Sequence, residues 1–388
     1  MNKIKQLPGI KLVFTFLVLI SFCSYGQSLI IDHNCTTLGK IPIEWINNAK
    51  QNLHIAYQHT SHGSQLIDGM NGLKNWKGEQ YAFNNGGSNG ALDLHDYAIP
   101  GASDLGNPDR TSWAQATSDF INDPNNNYVN VIIWSWCGQV SSADSADIQT
   151  YLELMTSLEN NFPNVKFVYM TGHLDGLGPD GNLNQRNEQI RRYCRNNNKI
   201  LYDFADIESY DPDGNFYLDK MANDNCDYDS DNNGTRDKNW ATDWQESHTE
   251  NVDWYSCSAA HSQALNGNRK AYAAWSLWAS LAGWEGVFAG AANDGNILEK
   301  SFSLSQNYPN PFNPSTNFNF SIPDYGFVSL KIYDILGNEV AALINEYKQP
   351  GQHNIRFNAD TFNLTSGVYI YQLRSGKFIS TRKFILLK

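Results

Sequence analysis

Short apolar runs alternate with helical stretches between residues 53 and 285. The apolar runs are LHIAY, VNVIIWSW, VKFVYMTG and KILYDFADI. The segments SADIQTYLELMTSLENNF and LNQRNEQIRRYCRNN lie between the later runs, and their apolar residues recur near helical spacing. Strands and helices that alternate at these lengths predict an α/β domain, in which helices cover a parallel sheet on both faces as a three-layer structure.

A second pattern begins near residue 286. The runs TNFNFSI, FVSLKIYDI, GQHNIRFNA, GVYIYQLRS and FISTRKFILLK alternate apolar and polar residues, and Gly, Asn, Pro and Asp separate them. This pattern predicts a small C-terminal antiparallel β-sandwich. The chain therefore divides into a signal peptide (1–26), the α/β domain (27–285), a linker (286–301) and the β-sandwich domain (302–388).

The N-terminus has the features of a secretory signal. Lys3, Lys5 and Lys11 precede the apolar run LVFTFLVLISF, and Ser24 and Gly26 offer small residues for cleavage. A core of about eleven apolar residues is too short to span a bilayer. No later segment is long and apolar enough to do so. We therefore predict export, cleavage after Gly26 and no transmembrane segment in the mature chain.

Export to an oxidising space permits disulfides. Cleavage after Gly26 leaves five cysteines, so at least one thiol has no partner within the chain. Cys226 and Cys257 flank one acidic, loop-rich stretch. They are the predicted pair.

Charge is distributed unevenly along the chain. The formal net charge is −12. Residues 27–299 carry 16 basic and 35 acidic residues, a net of −19, whereas residues 300–388 carry nine basic and five acidic residues, a net of +4. The acidic part repels nucleic acid, anionic lipid and polyanionic polysaccharide. Nucleic acid is therefore excluded as a partner, and a neutral or weakly charged substrate is favoured.

Polar residues cluster where the predicted strands end, in QHTSHGS, CGQVSS and TGHLDG. Ligands of open α/β sheets bind beyond the carboxyl ends of the strands. A serine hydrolase needs a hydroxyl, a histidine base and N–H donors aimed at the oxyanion. Ser61 follows the first run, Gly101 and Gln139 follow YAIPGAS and IIWSWCGQ, and His261 precedes the last helical stretch.

The order of these blocks resembles that of the SGNH (GDSL-type) hydrolases over about residues 50–285. The resemblance implies that Ser61, in HTS where the family has Gly-Asp-Ser, is the nucleophile and that His261 is the general base. It also implies that Gly101 and Gln139 are oxyanion donors, with Gln139 standing where the family has an asparagine. Ser64 is the second candidate for the nucleophile.

The chain departs from the SGNH pattern beside the histidine. Ser258 stands where the family has the aspartate that orients the imidazole. Asp243, Asp253 or a backbone carbonyl then takes that role, or the protein is a catalytically inactive SGNH-like relative that binds carbohydrate.

Other interpretations of the same residues stay open. The hydroxyl of Ser61 can simply cap a helix. His59, His62 and His173 are predicted to contact substrate. Together with Asp175 they can instead be ligands of zinc or iron in a His/Asp metal-dependent hydrolase.

An acidic stretch, DNCDYDSDNNGTRD, spaces carboxylates at alternate positions, within a region that holds fifteen acidic residues between Asp203 and Asp253. Carboxylates arranged in this way can converge on a hard cation that takes six to eight oxygen ligands. The stretch resembles the Asp-x-Asp-x-Asp calcium loops of secreted bacterial proteins; the alternative is a solvated acidic loop. The predicted ligands of a structural calcium are Asp227, Asp229, Asp231 and Asp237.

The C-terminal segments SLSQNYPNPFNPST, LKIYDILGNEV, SGVYIYQL and FILLK closely resemble the type A C-terminal sorting domain of the type IX secretion system, over roughly residues 302–388. The resemblance implies passage to the periplasm and then across the outer membrane. It makes the type IX machinery an expected partner and implies that this domain is recognised and removed.

These observations together predict a secreted or cell-surface SGNH-like serine hydrolase. The expected reaction is that of an esterase that removes acyl groups from an extracellular glycan or a similar ester. No cofactor is required for this catalysis.

Overall fold

The computed structural model describes residues 28–286, 302–322, 326–348, 351–376 and 378–388. The predicted signal peptide (1–26) and all but the first residue of the predicted linker (286–301) lie outside the described residues.

The first domain is built on a seven-stranded sheet. Its strands are β1 (Leu29–Ile31), β2 (His54–Gln58), β3 (Phe83–Asn84), β4 (Leu92–Asp96), β5 (Val131–Trp134), β6 (Lys166–Met170) and β7 (Ile200–Tyr202). They lie in the order β1-β7-β6-β5-β2-β4-β3, and every pair is parallel. The predicted α/β class and parallel sheet are confirmed.

Eight helices and a two-stranded hairpin complete the described part of this domain. The helices are α1 (Ile43–Asn52), α2 (Ser61–Lys77), α3 (Ser112–Asn122), α4 (Ser145–Asn161), α5 (Asn182–Asn196), α6 (Phe204–Ile207), α7 (Trp240–Ser247) and α8 (Ala264–Leu281). The hairpin pairs β8 (Asp227–Tyr228) with β9 (Lys238–Asn239).

Both faces of the sheet are covered by apolar side chains. Along β2 the side chains alternate, because successive residues of a strand point to opposite faces. Ile55 and Tyr57 join the core that contains Trp275 and Trp278 of α8, whereas Ala56 joins the core on the other face. The tryptophans of α8 are therefore packing residues of the core.

Helices α2 and α8 approach closely at two glycines. A Cβ atom built on Gly69 would lie 2.1 Å from the backbone oxygen of Gly267, so neither helix can keep its place if Gly69 gains a side chain. We expect Gly69→Ala to lower the free energy of unfolding by about 1–3 kcal/mol, the usual cost of overpacking. Urea unfolding of the variant measures this loss.

Gly39→Ala is the matched control for Gly69→Ala. A Cβ atom on Gly39 meets nothing within 4 Å, so its effect is expected to stay within about 0.5 kcal/mol. Equal stability of the two variants would contradict the close crossing of α2 and α8.

The second domain has two antiparallel sheets. Its strands are β10 (Ser303–Leu304), β11 (Ser315–Ile322), β12 (Gly326–Tyr333), β13 (Glu339–Lys348), β14 (Gly351–Asn358), β15 (Gly367–Ser375) and β16 (Phe378–Leu386). One sheet has the order β10-β11-β14 and the other β13-β12-β15-β16. Their shared core includes Phe318 of β11 and Phe384 of β16. This arrangement agrees with the predicted β-sandwich.

The predicted disulfide is wrong. All five cysteines of the described residues are free thiols. The sulfur of Cys226 is buried 3.6 Å from the hydroxyl of Ser262, whereas that of Cys257 lies 3.4 Å from the Asn268 amide of α8. The two thiols pack against different neighbours because proximity to one acidic loop in sequence does not bring their side chains together.

Among the described residues, no helix combines the length and apolar character needed to cross a membrane.

Candidate active site

The carboxyl edge of the parallel sheet carries the candidate site. Ser61 begins α2 just after β2, Cys137 follows β5, and His173 follows β6. Two longer loops add Asp224 and His261 to the same place. The edge is where the backbone leaves a parallel sheet, so side chains from distant parts of the chain can meet there.

Ser61 and His261 meet as the sequence suggested. The Nε2 atom of His261 lies 3.0 Å from the Oγ atom of Ser61, although 200 positions separate the two residues. His261 is exposed and has a φ of 63°, a left-handed conformation that is uncommon outside glycine. Such conformations concentrate at functional sites, where the surrounding structure holds them. The contact has the geometry of a nucleophile beside its base.

The N-terminus of α2 supplies candidate oxyanion donors. Thr60 occupies the N-cap position but makes no capping hydrogen bond with its side chain. Its hydroxyl donates instead to Asp104, at 2.7 Å. The first N–H groups of an α-helix have no partner within the helix, so those of Ser61 and His62 are available beside the Ser61 hydroxyl. Ser64 does not cap the helix; its hydroxyl donates to the carbonyl oxygen of Ser61 at 2.8 Å.

Cys137, His62 and Asp224 form a hydrogen-bonded series next to Ser61. The Sγ atom of Cys137 lies 3.2 Å from His62 Nδ1, and His62 Nε2 lies 3.0 Å from a carboxylate oxygen of Asp224. The same sulfur lies 3.4 Å from the Oγ atom of Ser61.

Electrostatics favour the ionised forms of this series. The hydrogen bond from His62 is the main cause that lowers the pKa of Cys137 to about 5. Burial by itself would lower the pKa of His62, but the hydrogen bonds to Asp224 and Cys137 outweigh it and raise that pKa to about 9. Between these two values the pair is a thiolate beside an imidazolium.

Three imidazole rings stack across the site. His62 lies between His173, at a ring-centroid distance of 4.1 Å, and His261, at 4.6 Å. The Nδ1 atom of His173 lies 2.7 Å from the carbonyl oxygen of Leu174, which fixes the ring. Its buried Nε2 atom has no hydrogen-bond partner among the described residues. That nitrogen is suited to a hydrogen bond with substrate, and the predicted contact by His173 stays a prediction.

Gln139 reaches the site, whereas Gly101 packs elsewhere. The Gln139 amide donates to Asp104 at 3.3 Å, and its oxygen accepts the backbone N–H of Cys137 at 3.2 Å. Gly101 is exposed, and a Cβ atom on it would meet Ala116 of α3 at 3.2 Å. The glycine packed against Gln139 is Gly106. The oxyanion roles of Gln139 and Gly101 stay predictions. The contacts of Gln139 with Cys137 and Asp104 favour an oxyanion role for Gln139 over one for Gly101.

His59 supports the site without facing it. Its side chain is only 1% exposed. The two ring nitrogens lie 2.9 Å from the carbonyl oxygen of Thr60 and 2.6 Å from a carboxylate oxygen of Asp96. Because both nitrogens are engaged, the geometry suits a residue that positions the turn before Ser61 and does not support a contact with substrate.

The histidine and aspartate side chains can be tested as metal ligands. Among the described residues, two groups bring three possible ligand atoms within 4.8 Å of one another: His62, His173 and Asp224, and Asp32, His33 and Asp206. An imidazole binds a metal along the lone pair in its ring plane. The rings of His62 and His173 lie nearly parallel, at 12°, so these directions do not meet on one ion.

The remaining members of the predicted zinc or iron set lie apart from this group. His59 is paired with Asp96, and a carboxylate oxygen of Asp175 accepts the backbone N–H of Leu177 at 3.0 Å. The full predicted set of His59, His62, His173 and Asp175 is therefore not brought together, and the metal-hydrolase alternative stays a prediction.

The predicted calcium loop forms the β8–β9 hairpin. Asp229 accepts the backbone N–H of Gly234 at 2.7 Å, and Asp237 accepts that of Ser230 at 2.9 Å. Asp227 accepts from the Asn239 amide at 2.8 Å, while Asp231 is exposed. These hydrogen bonds hold the loop through its own donors. A calcium ion bound by Asp227, Asp229, Asp231 and Asp237 stays a prediction.

The described part of the chain is a parallel α/β domain followed by an antiparallel β-sheet domain. Residues 306–387 match the family model of the secretion system C-terminal sorting domain, which confirms the predicted type IX sorting domain. The chain is therefore exported to the cell surface or secreted. No curated protein matches the sequence.

Two of the solved structures to which the chain is similar are remote matches. One is PorZ, a bacterial surface component of the type-IX secretion system of Porphyromonas gingivalis, at 16% identity and a TM-score of 0.17, with 25% of this chain and 13% of PorZ covered. Another is the endo-β-1,4-mannanase of Thermotoga petrophila, at 10% identity and a TM-score of 0.20, with 72% and 50% covered.

Three residues of the site have little signal in the sequence. Cys137 is one of the five cysteines considered for disulfides, and it stands in CGQ directly after a strand. Asp224 was one of many carboxylates in an acidic stretch, and nothing local distinguished it. Asp104 lies in the loop after β4, where it accepts from Thr60 and Gln139. A polar residue at a strand end was the available signal for Cys137 and Asp104.

Proposed function

We propose that this protein is an exported serine hydrolase of the SGNH type that cleaves carboxylic esters. The observation that carries the proposal is the 3.0 Å contact between Ser61 Oγ and His261 Nε2 at the carboxyl edge of a parallel sheet. A serine with a neighbouring base at this edge is the arrangement that acyl transfer requires.

The reaction follows from these contacts. His261 accepts the hydroxyl proton while Ser61 attacks the ester carbonyl carbon, and the first-turn N–H groups of α2 stabilise the oxyanion. His261 then donates the proton to the leaving alcohol. Water repeats the sequence on the acyl enzyme and releases the acid.

The environment of His261 limits its activation. Among the described residues, no carboxylate is hydrogen-bonded to its ring, and Ser258 holds the place of the family's aspartate. Exposure lets water solvate the second nitrogen. This favours an ester with a moderately good leaving group over a demanding amide.

The substrate is proposed to be a neutral acylated polymer outside the cell. The sorting domain supports export, and a net charge of −19 over residues 27–299 disfavours polyanions. An O-acetylated neutral glycan satisfies both conditions.

Fluorophosphonate labelling tests the nucleophile directly. The chain from Gln27 to Lys388 should gain one adduct, and peptide mapping should place it on Ser61. Ser61→Ala should not label, while Ser64→Ala should label like the wild type. A folded wild-type protein without an adduct would overturn the proposal and would favour the inactive, carbohydrate-binding alternative.

A further inference from the structure

Cys137 has its own activating pair, separate from Ser61 and His261. Cys137 is half-buried, and its sulfur lies 3.2 Å from His62 Nδ1, while His62 is held on its other side by Asp224 at 3.0 Å. A nucleophile, a base and an orienting carboxylate in series make a complete catalytic triad, which recurs on unrelated folds. Ser61 and His261 lack the third member among the described residues.

We propose that Cys137, His62 and Asp224 form a second nucleophilic centre at the carboxyl edge of the sheet, one that accepts acyl groups from thioesters. The proposal does not require that Ser61 be the esterase nucleophile.

The direction of the Ser61 hydroxyl hydrogen decides which of the two nucleophiles it assists. Ser61 has a single hydroxyl hydrogen and two acceptors, His261 at 3.0 Å and Cys137 at 3.4 Å. When the hydroxyl donates to His261, Ser61 is prepared for attack. When it donates to the sulfur, it stabilises a thiolate that His62 already supports. The two nucleophiles therefore lie next to each other but do not share their bases.

The charges around Cys137 support an anionic sulfur. His62 faces it directly, and Asp224 balances the imidazolium from the far side. The Glu208 carboxylate also favours a charged His62. The rings of His173 and His261 flank His62. The hydroxyls of Ser61 and Thr60 also favour the thiolate, and Asp104 accepts from Thr60 and Gln139 beside it. The resulting Cys137 pKa of about 5 makes the thiolate the main form at neutral pH.

The other four thiols have the opposite environment. Burial raises the pKa of Cys226 and of Cys257 to about 12, and it raises the pKa of Cys35 and Cys194 further. These thiols are internal controls within the same chain. A reagent that needs a thiolate should distinguish Cys137 from all of them.

Leaving-group chemistry selects the substrate class. A thiolate of low pKa is a good leaving group, so an intermediate formed with an alkyl ester returns to reactants more readily than it expels an alkoxide. A thioester expels a thiolate whose ordinary pKa is about 8.5. The pKa of this leaving group is much closer to that of Cys137 than the pKa of an alcohol is. Cys137 is therefore suited to thioesters, whereas the Ser61 centre is suited to oxygen esters.

The reaction balances without any further reagent. The Cys137 electron pair forms a bond to the carbonyl carbon, the carbon–sulfur bond of the substrate breaks, and His62 Nδ1 gives its proton to the departing thiolate. Water then attacks the Cys137 thioester and gives a proton to His62, and Cys137 leaves as the thiolate. One thioester and one water yield one acid and one thiol.

Two measurements on the chain from Gln27 to Lys388 test this proposal. S-phenyl thioacetate is the acyl donor, and peptide mapping locates the acetyl group. Acetyl should appear on Cys137 in the wild type and in Ser61→Ala, and should be absent from that peptide in Cys137→Ala.

Iodoacetamide at pH 6 is the second probe. At this pH Cys137 has a much larger thiolate fraction than an ordinary thiol, but its thiolate is a weaker nucleophile. The two effects together predict that Cys137 is alkylated about tenfold faster than an ordinary exposed thiol. His62→Gln should remove this advantage, and Asp224→Asn gives a second test if His62→Gln fails to fold. Because only the thiolate reacts, the wild-type rate should rise with pH through about 5 and then level off.

The results separate the two centres. Acetyl on Ser61 alone, with Cys137 alkylated no faster than the other four thiols, would overturn the thioester proposal and leave the esterase proposal intact. Acetyl on Cys137 in a protein that never labels with fluorophosphonate would support the thiol centre and overturn the esterase proposal.

Discussion

His261→Ala is expected to slow ester hydrolysis by about 10²- to 10⁴-fold, the usual contribution of a general base. His261 Nε2 is the nitrogen that contacts Ser61 Oγ, so its loss leaves water or the less basic Cys137 sulfur at 3.4 Å to accept the hydroxyl proton. The fall should appear in kcat for p-nitrophenyl acetate. Folding should be little affected, because His261 is exposed and leaves no cavity.

His54→Ala is the matched control for His261→Ala. His54 begins β2 and so lies at the opposite end of the strand that leads to Ser61, where it contacts Asp93 at 2.7 Å. Its kcat should stay near that of the wild type. If His261→Ala retained wild-type kcat in a folded protein, His261 would be excluded as the base.

Lys270→Met is expected to lower the free energy of unfolding by about 3–5 kcal/mol, the cost of leaving a buried partner charge alone. Lys270 Nζ lies 2.6 Å from Glu208 Oε2, and both side chains are fully buried. Lys270 also donates to Gln65 of α2 at 2.5 Å. The variant removes the only cation of this pair and leaves the Glu208 carboxylate without its charge partner.

The same network holds both loops of the candidate site. Gln65 donates to the carbonyl oxygen of Ala260, next to His261, at 2.5 Å, and Glu208 accepts the backbone N–H of Leu174, next to His173. Lys270→Met should therefore lower activity as well as stability. Part of the stability should return in the double variant Lys270→Met/Glu208→Leu, because it removes both charges.

Urea unfolding followed by tryptophan fluorescence measures the change in the unfolding free energy of the α/β domain, because all eleven tryptophans precede residue 285. Lys74→Met is the matched control. Lys74 pairs with Glu79 at 3.7 Å on the surface, where their side chains are 38% and 82% exposed, and such pairs contribute about 0–1 kcal/mol. If Lys270→Met lowered the free energy of unfolding by no more than Lys74→Met does, the role assigned to the buried pair would be contradicted.

Periodicity in the sequence determined the main architecture. The strands β2, β5, β6 and β7 and the helices α4, α5 and α8 all fall on runs that the pattern identified, because a strand buried on both faces must be almost wholly apolar. The strands β1, β3 and β4 were not identified. They are short or carry polar residues such as Asp93 and His95, so their membership of the sheet depends on pairing with neighbours.

The order of the sequence blocks also predicted that Ser61 and His261 act together as nucleophile and base. Ser61 follows a strand at its carboxyl end, and His261 precedes the last helix. Local pattern could not do the same for Cys137 and Asp224. They lie 75 and 162 positions from His62, and no periodicity relates residues so far apart.

The sequence by itself determined the parallel sheet, the antiparallel C-terminal sheets and the C-terminal sorting domain, because these follow from the hydrophobic pattern and from local sequence motifs. Only the tertiary structure decided which polar groups share a proton. It separated Cys226 from Cys257, buried His59 against Asp96 and set Cys137 beside His62. These outcomes depend on distances of a few ångströms between loops, which are fixed by packing across the whole domain.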